Sequence, residues 1–484
     1  MPAPLQRYPD AARMQFGYIM VPENHANPGN GRTLQLAVVI VPALSSTPEP
    51  DPVFYIVGGP GGSATLSSSG FGIFGVLNTT RDIVYVDPRG AGFSEPNLFM
   101  RRNAAAIPRF ASINRAWFAQ RGIDVTAFNT AQIAEDYEDA RVALGYGQIN
   151  LFANSYGTFV AQELLRRHSA SFRAVVMSGN SPATDPFLPT SLAIEKHGMD
   201  ALIGDVSTNG PARRAFPHFR QRFYKLMDSL TTKPLKFRIK NLGTGRLEAV
   251  TIDGASFAET LTELLQVTQT IRYIPMLVEQ LERRTAGPLV RRFFAPRSET
   301  DRDNPFGMYL SVLGTDFAAP GYVKATERGI LGVKTKALIR AEGPGLFQLA
   351  QLIVAWKVPY NPGTTRTLPQ STVPTLLLNG MMDAQTPVSG GATIGAGITG
   401  SINYIYPRIG HAVGFVTGPD MDAAAAFINN PAQAPVFSLG RLKQKKFYVT
   451  NGATARTRML DNWRDSIVDP PIRIPVPKDI TEPQ

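Results

Sequence analysis

The chain contains no cysteine. Disulfides, a thiol nucleophile and thiolate metal sites are therefore excluded together. Histidine is scarce too. His25, His168, His197, His218 and His411 are the five in 484 residues, and no pair has metal-ligand spacing, so no metal and no other cofactor is expected. No apolar run reaches the roughly 18–20 residues that cross a bilayer, so no membrane span is expected. The opening Met1-Pro2-Ala3-Pro4-Leu5 offers neither the basic nor the apolar region of a signal peptide. Charged residues make up only 18% against 43% hydrophobic. That balance provides a sizeable core and argues against global disorder.

The formal net charge is +11. The basic residues are scattered in short pairs such as Arg101-Arg102, Arg166-Arg167 and Arg283-Arg284, and are densest from Arg441 to Lys446. No zinc-finger or RNA-binding signature accompanies them, so no nucleic-acid partner is expected.

Short apolar runs at 17–23, 34–41, 52–57, 82–86, 148–153, 173–178, 373–379 and 402–406 read as strands. Helical patterns at 130–144 and 156–168 lie between them, with Thr130 as a candidate N-cap and Gly145 as the stop. Further helices are expected at 387–398 and 420–428. Buried strands alternating with helices imply an α/β fold with a mostly parallel sheet. From about 183 to 368 the rhythm changes to mainly helical, with a break at Pro275. The expected organisation is a core over 1–182, a helical cap over 183–370, a second core segment over 371–430 and a C-terminal tail over 431–484 packed on the core.

Ala153-Asn154-Ser155-Tyr156-Gly157 falls between a predicted strand and a predicted helix. A tight turn there pushes the serine side chain out of the sheet, and the residues two before and two after must be small. A helix-capping serine fits the pentapeptide alone; the flanking strand and helix favour a nucleophile. Such a serine needs a base and a group to orient it. Asp383 follows the strand 373–379 and His411 follows the strand 402–406. The order Ser155, Asp383, His411 is that of the α/β-hydrolase fold. The intermediate needs two backbone donors. The N–H of Tyr156 is one candidate. The other is Gly59 in the loop Gly58-Gly59-Pro60-Gly61-Gly62-Ser63. This loop does not fit the dinucleotide pattern G-x-G-x-x-G, because position 64 is alanine. In Asp87-Pro88-Arg89-Gly90, Arg89 is expected to hold backbone carbonyls of the oxyanion loop. Asp316 ends the apolar run 308–317. It is the candidate carboxylate for a substrate amine, with a helix-terminal aspartate as the plain alternative.

Gly-Gly-Pro-Gly-Gly at 58–62, Asp-Pro-Arg-Gly-Ala-Gly-Phe-Ser at 87–94 and Asn-Ser-Tyr-Gly-Thr at 154–158 resemble the proline iminopeptidase and tripeptidyl aminopeptidase branch of the α/β hydrolases. Residues 17–24 and 376–387 resemble it as well. The resemblance implies an exported serine exopeptidase that removes one to three residues from a free N-terminus, with related members cleaving esters or small amides. The chain departs from the pattern at Ala153, where the elbow has glycine, and at Val57, where the iminopeptidase pattern has histidine. It also lacks the cysteines that exported relatives often carry. An aminopeptidase and a carboxylesterase or amidase both remain open. A non-catalytic binding protein on the same scaffold is the reading from a different class.

Overall fold

A computed structural model describes residues 2, 4–7, 11–65, 75–100, 107–296, 305–411, 419–435 and 472–473. Its centre is a nine-stranded sheet in the order β1-β2-β4-β3-β5-β6-β9-β10-β11. The strands are β1 (Gln15–Pro22), β2 (Thr33–Val41), β3 (Val53–Ile56), β4 (Ile83–Val86), β5 (Ile149–Asn154), β6 (Phe172–Ser178), β9 (Thr375–Gly380), β10 (Ile402–Tyr406) and the two-residue β11 (Ile472–Arg473). The pairs β1/β2, β2/β4 and β10/β11 are antiparallel. From β4 through β3, β5, β6 and β9 to β10 every pair is parallel.

Side-chain alternation explains why these runs are apolar on both sides. Phe54, Val84, Leu151, Val175 and Leu377 enter one core, and their neighbours Tyr55, Tyr85, Phe152, Val176 and Leu378 enter another on the opposite face. Helices α1 (Ile107–Ala119), α2 (Thr130–Ala143) and α3 (Tyr156–His168) precede β6. Ile133 and Phe159 of α2 and α3 pack on the first face. Asn129, not Thr130, caps α2, its side chain accepting from the Gln132 N–H at 3.2 Å. Thr130 is thereby free for another use.

Between β6 and β9 runs a mainly helical block. It comprises α4 (Leu188–Thr208), α5 (Gly210–Ala215), α6 (Phe219–Thr232), α7 (Gly254–Gln266), α8 (Thr268–Ile271), α9 (Ile274–Glu282), α10 (Pro288–Phe293), α11 (Phe306–Asp316), α12 (Tyr322–Gly332) and α13 (Lys336–Ala355). Pro275 sits in the first turn of α9, where a missing N–H costs nothing. Within this stretch, expected to be mainly helical, the block also holds an antiparallel hairpin, β7 (Leu235–Lys240) with β8 (Leu247–Ile252). The block has its own apolar core, including Leu202, Phe223, Phe257 and Leu277, and that core takes in Met382 and Ala384 from the loop after β9. The block is thus packed onto the turn that carries Asp383. Two last helices, α14 (Gly390–Gly395) and α15 (Pro419–Asn429), follow β9 and β10, and Phe427 and Ile428 of α15 cover the second face. Most of the expected tail, 431–484, lies outside the described residues.

Candidate active site

Strand β5 ends at Asn154 and α3 begins at Tyr156, so Ser155 alone makes the turn. Its backbone has φ 56 and ψ −128. A non-glycine residue there costs on the order of 1–3 kcal/mol and persists only if its surroundings enforce it. They do so with hydrogen bonds. The Ser155 N–H donates to Ser178 O at 2.9 Å, and the Thr158 N–H and hydroxyl donate to Ser155 O at 2.8 and 2.7 Å. The small neighbours are required by contact. A Cβ on Gly157 would lie 2.3 Å from Ile56 O, and one on Gly58 would lie 2.7 Å from the Ser155 Cβ. Ala153, fully buried, serves where the commoner residue is glycine.

Asp383 and His411 leave the ends of adjacent parallel strands β9 and β10 and meet. His411 Nδ1 lies 2.8 Å from Asp383 Oδ2. The other carboxylate oxygen accepts the Gln385 and Thr386 N–H groups at 2.7 and 2.9 Å, and the Thr386 hydroxyl donates to Oδ2 at 2.5 Å. Burial opposes ionisation of Asp383. The His411 charge and hydrogen bond, with those from Thr386, outweigh it and hold the carboxyl below its ordinary range. An ionised Asp383 fixes the proton on Nδ1 and leaves Nε2 as an acceptor. The imidazole packs on Gly179, where a Cβ would come within 2.8 Å of Cε1. Gly179 follows Ser178, the residue that holds the Ser155 N–H. Ser155, Asp383 and His411 thus follow the C-terminal ends of β5, β9 and β10, and the end of β6, which lies between β5 and β9, touches both the Ser155 backbone and the imidazole.

The helical block closes on the same loops. The His411 N–H donates to Leu265 O of α7 at 3.1 Å. A Cβ at Gly410 would fall 1.5 Å from that carbonyl, so only glycine fits.

The glycine loop lies beside Ser155: a Cβ on Gly58 would be 3.2 Å from the Ser155 Oγ. Gly59, next in line, has φ +127, a conformation open to glycine. The loop is held by Asp87, which accepts from the Ser63 hydroxyl at 2.8 Å, the Thr65 N–H at 2.9 Å and the Thr65 hydroxyl at 2.5 Å. The expected partner, Arg89, points elsewhere. It donates to Asp136, Glu23 O, Ala127 O and Pro22 O, joining α2 to the end of β1. The motif supports the oxyanion loop through its aspartate rather than its arginine.

Asp316 is buried as its apolar run implies. Its oxygens are taken by the protein: Oδ2 accepts the Thr130 N–H at 3.1 Å and hydroxyl at 2.6 Å, and Oδ1 accepts the Thr365 hydroxyl at 3.3 Å. Both carboxylate oxygens of Asp316 are thus engaged by threonines of the protein.

Two carboxylates that sequence reasoning passed over are less well supplied. Glu195 Oε2 on α4 and Glu342 Oε1 on α13 are out of reach of solvent and have no hydrogen-bond partner among the described residues. Burial, then the Glu342 charge, pushes the Glu195 carboxyl up to about 8. Burial, then Glu259 and Asp253, pushes Glu342 up to about 7. One turn after Glu195, Gly198 packs so closely on the Asp383 loop that a Cβ would lie 2.9 Å from Asp383 O. No local signal separates these two acids from the solvent-facing acids of the block.

Their titration has a stability consequence. Both groups hold a proton in the folded chain that the unfolded chain releases near 4.5. Their contribution is complete below that pH and is lost as pH rises through about 7 and 8. The melting temperature is expected to fall between pH 5 and pH 8.5, and Glu195→Gln is expected to flatten that fall by raising stability at pH 8.5. Thermal unfolding of both proteins at both pH values checks this; an unchanged slope in the variant would refute it.

Comparison with a family model agrees with the architecture. The family model described as the alpha/beta hydrolase fold matches residues 51–227. That match covers somewhat over a third of the chain, and the mostly parallel sheet order above is consistent with that fold. A tripeptidyl aminopeptidase from Streptomyces coelicolor is 28% identical over 170 residues, which cover 30% of this chain and 31% of that protein. The match thus spans about a third of that relative's length. Among solved structures, a serine hydrolase from Cycloclasticus zankles aligns over 86% of this chain and 96% of its own at 14% identity and a TM-score of 0.38. A thermophilic esterase from Thermogutta terrifontis aligns over 85% and 97% at 15% identity, again with a TM-score of 0.38. Among the described residues no group of acids and histidines could hold a metal ion, and no helix is long and apolar enough to cross a membrane.

Proposed function

We propose that this protein is a serine hydrolase acting through an acyl-enzyme, and that it releases short N-terminal units from peptides. The observations that carry the chemistry are the 2.8 Å bond between His411 and Asp383 and the strained elbow conformation of Ser155. His411 Nε2 takes the Ser155 proton as Oγ attacks the scissile carbonyl. Asp383 keeps the imidazole in the needed tautomer and stabilises the imidazolium. The Tyr156 and Gly59 N–H groups receive the developing oxyanion. His411 then gives its proton to the leaving amine, and water repeats the sequence to free the acid. The helical block acts as a cap over the far end of the cleft.

The preference for a free N-terminus draws on Glu195 and Glu342. Burial keeps these unpartnered carboxyls protonated, and a substrate ammonium placed against them supplies the opposite charge and hydrogen bonds that let them ionise. The likeness to a tripeptidyl aminopeptidase leans the same way.

The test compares peptidyl arylamides bearing free and acetylated N-termini with neutral acyl esters. Free-amine substrates are expected to be turned over with kcat/KM about 10–100-fold above the acetylated forms, the effect of one charge-assisted hydrogen bond. Glu195→Gln should abolish most of that preference while sparing the esters. Equal rates on free and acetylated substrates, with esters the best of all, would replace this reading by a carboxylesterase.

A further inference from the structure

The buried polar groups that the proposed chemistry leaves unused converge on Tyr156. Thr130 opens α2, and its N–H and hydroxyl both donate to Asp316 Oδ2. The Tyr156 hydroxyl lies 2.7 Å from Thr130 Oγ1. The proton count fixes the direction. A threonine hydroxyl has one proton, and Asp316 receives it at 2.6 Å, so the phenol donates to Thr130. Along its ring, Tyr156 stacks on Phe159 with centroids 6.1 Å apart, and Phe159 meets Phe317 at 5.0 Å. The residue after Ser155 is therefore gripped twice, at its hydroxyl through Thr130 by Asp316 and at its ring through Phe159 by Phe317. Both grips trace to consecutive residues at the end of α11, inside the helical block. Thr365, on the segment returning from the block to β9, closes the arrangement from the other side.

We propose that Asp316 is a positioning residue: acting through Thr130, it fixes the Tyr156 side chain, and with it the Tyr156 N–H at the head of α3, to the seating of the helical block on the core. The proposal rests on the reading of Ser155 as nucleophile and the Tyr156 N–H as an oxyanion donor. Such a donor is effective only when preorganised, and a displacement near 1 Å is enough to lose much of its effect. Burial pushes the Asp316 carboxyl up to about 6 against the hydrogen bonds from Thr130 and Thr365. At pH 8 it is ionised and accepts both Thr130 bonds. A carboxylate so engaged works on the transition state through Tyr156 and has no reason to distinguish charged from neutral substrates.

The test uses the full chain at pH 8 with Thr130→Val, Thr130→Ser, Tyr156→Phe and the double variant Thr130→Val/Tyr156→Phe. Thr130→Val is expected to lower kcat about tenfold on both a p-nitrophenyl ester and a free-amine arylamide, with KM changed less than about twofold. Inhibition by a boronic acid, which mimics the tetrahedral adduct, should weaken by the same factor. Thr130→Ser keeps the hydroxyl and should restore most of the loss. The double variant should be no worse than Thr130→Val, because both changes break one chain. A rise in KM with kcat unchanged, a Thr130→Ser as impaired as Thr130→Val, or additive single effects would each overturn the proposal. If Thr130→Val does not fold, Tyr156→Phe and the boronate carry the same comparison, and unchanged kcat and inhibition there overturn it. A parallel fluorophosphonate reaction on the wild type separates the two levels. Labelling of Ser155 with a failed comparison removes this proposal alone, and no labelling removes the underlying reading as well.

Discussion

Ser155→Ala is expected to abolish turnover, with kcat falling by about 10⁴–10⁶-fold, because no other group in the site can form the acyl-enzyme. The fold should survive. The backbone at Ser155 is held by Ser178 O and Thr158, none of which uses the serine hydroxyl. Circular dichroism and a melting curve matching the wild type, alongside lost activity on both esters and arylamides, would give that result. Activity near wild type would end the account of Ser155 as nucleophile.

The second large effect belongs to Asp383. Asp383→Asn is expected to lower kcat by about 10³–10⁴-fold. An amide in that place can donate to Nδ1 and so favour the tautomer in which Nε2 carries the proton and cannot act as a base. The site also loses the carboxylate that stabilises the imidazolium. The buried position adds a control on interpretation. The neighbours Gln385, Thr386 and His411 all donate to Asp383, so the variant should also lose stability, by something like 1–3 kcal/mol for misplaced buried hydrogen bonds. Steady-state kinetics at a temperature well below the measured melting point separates the two effects. A folded variant retaining a tenth or more of wild-type kcat would show that another group orients His411.

Much of the site was legible in the chain because its parts are local. A strand, a small residue, a serine, a glycine and a helix stand in one pentapeptide, and Asp383 and His411 follow strands that announce themselves as short apolar runs. The parallel strands were equally plain, since each is buried almost throughout and so reads as a short apolar run. The β7/β8 hairpin was not recovered, although Leu235, Phe237 and Ile239 alternate with lysine and arginine and Gly243-Thr244-Gly245 follows. Two short strands among long helices are easily absorbed into the helical rhythm. What failed outright were long-range partnerships. Nothing near Arg89 says that its guanidinium reaches Pro22, Glu23, Ala127 and Asp136 rather than the glycine loop. The apolar run around Asp316 correctly implied burial but not direction, because the partner Thr130 is 186 residues away. Glu195 and Glu342 carry no local mark at all. Their significance comes from α4, α7 and α13 crossing where they do.

The central claim is that Ser155 is an activated nucleophile, and the most direct measurement is covalent trapping. The protein at pH 8 is treated with a fluorophosphonate, digested and mapped by mass spectrometry. The account predicts one adduct, on Ser155, formed at a rate that collapses in His411→Ala. An unmodified Ser155, or an adduct that forms equally fast without His411, would contradict it.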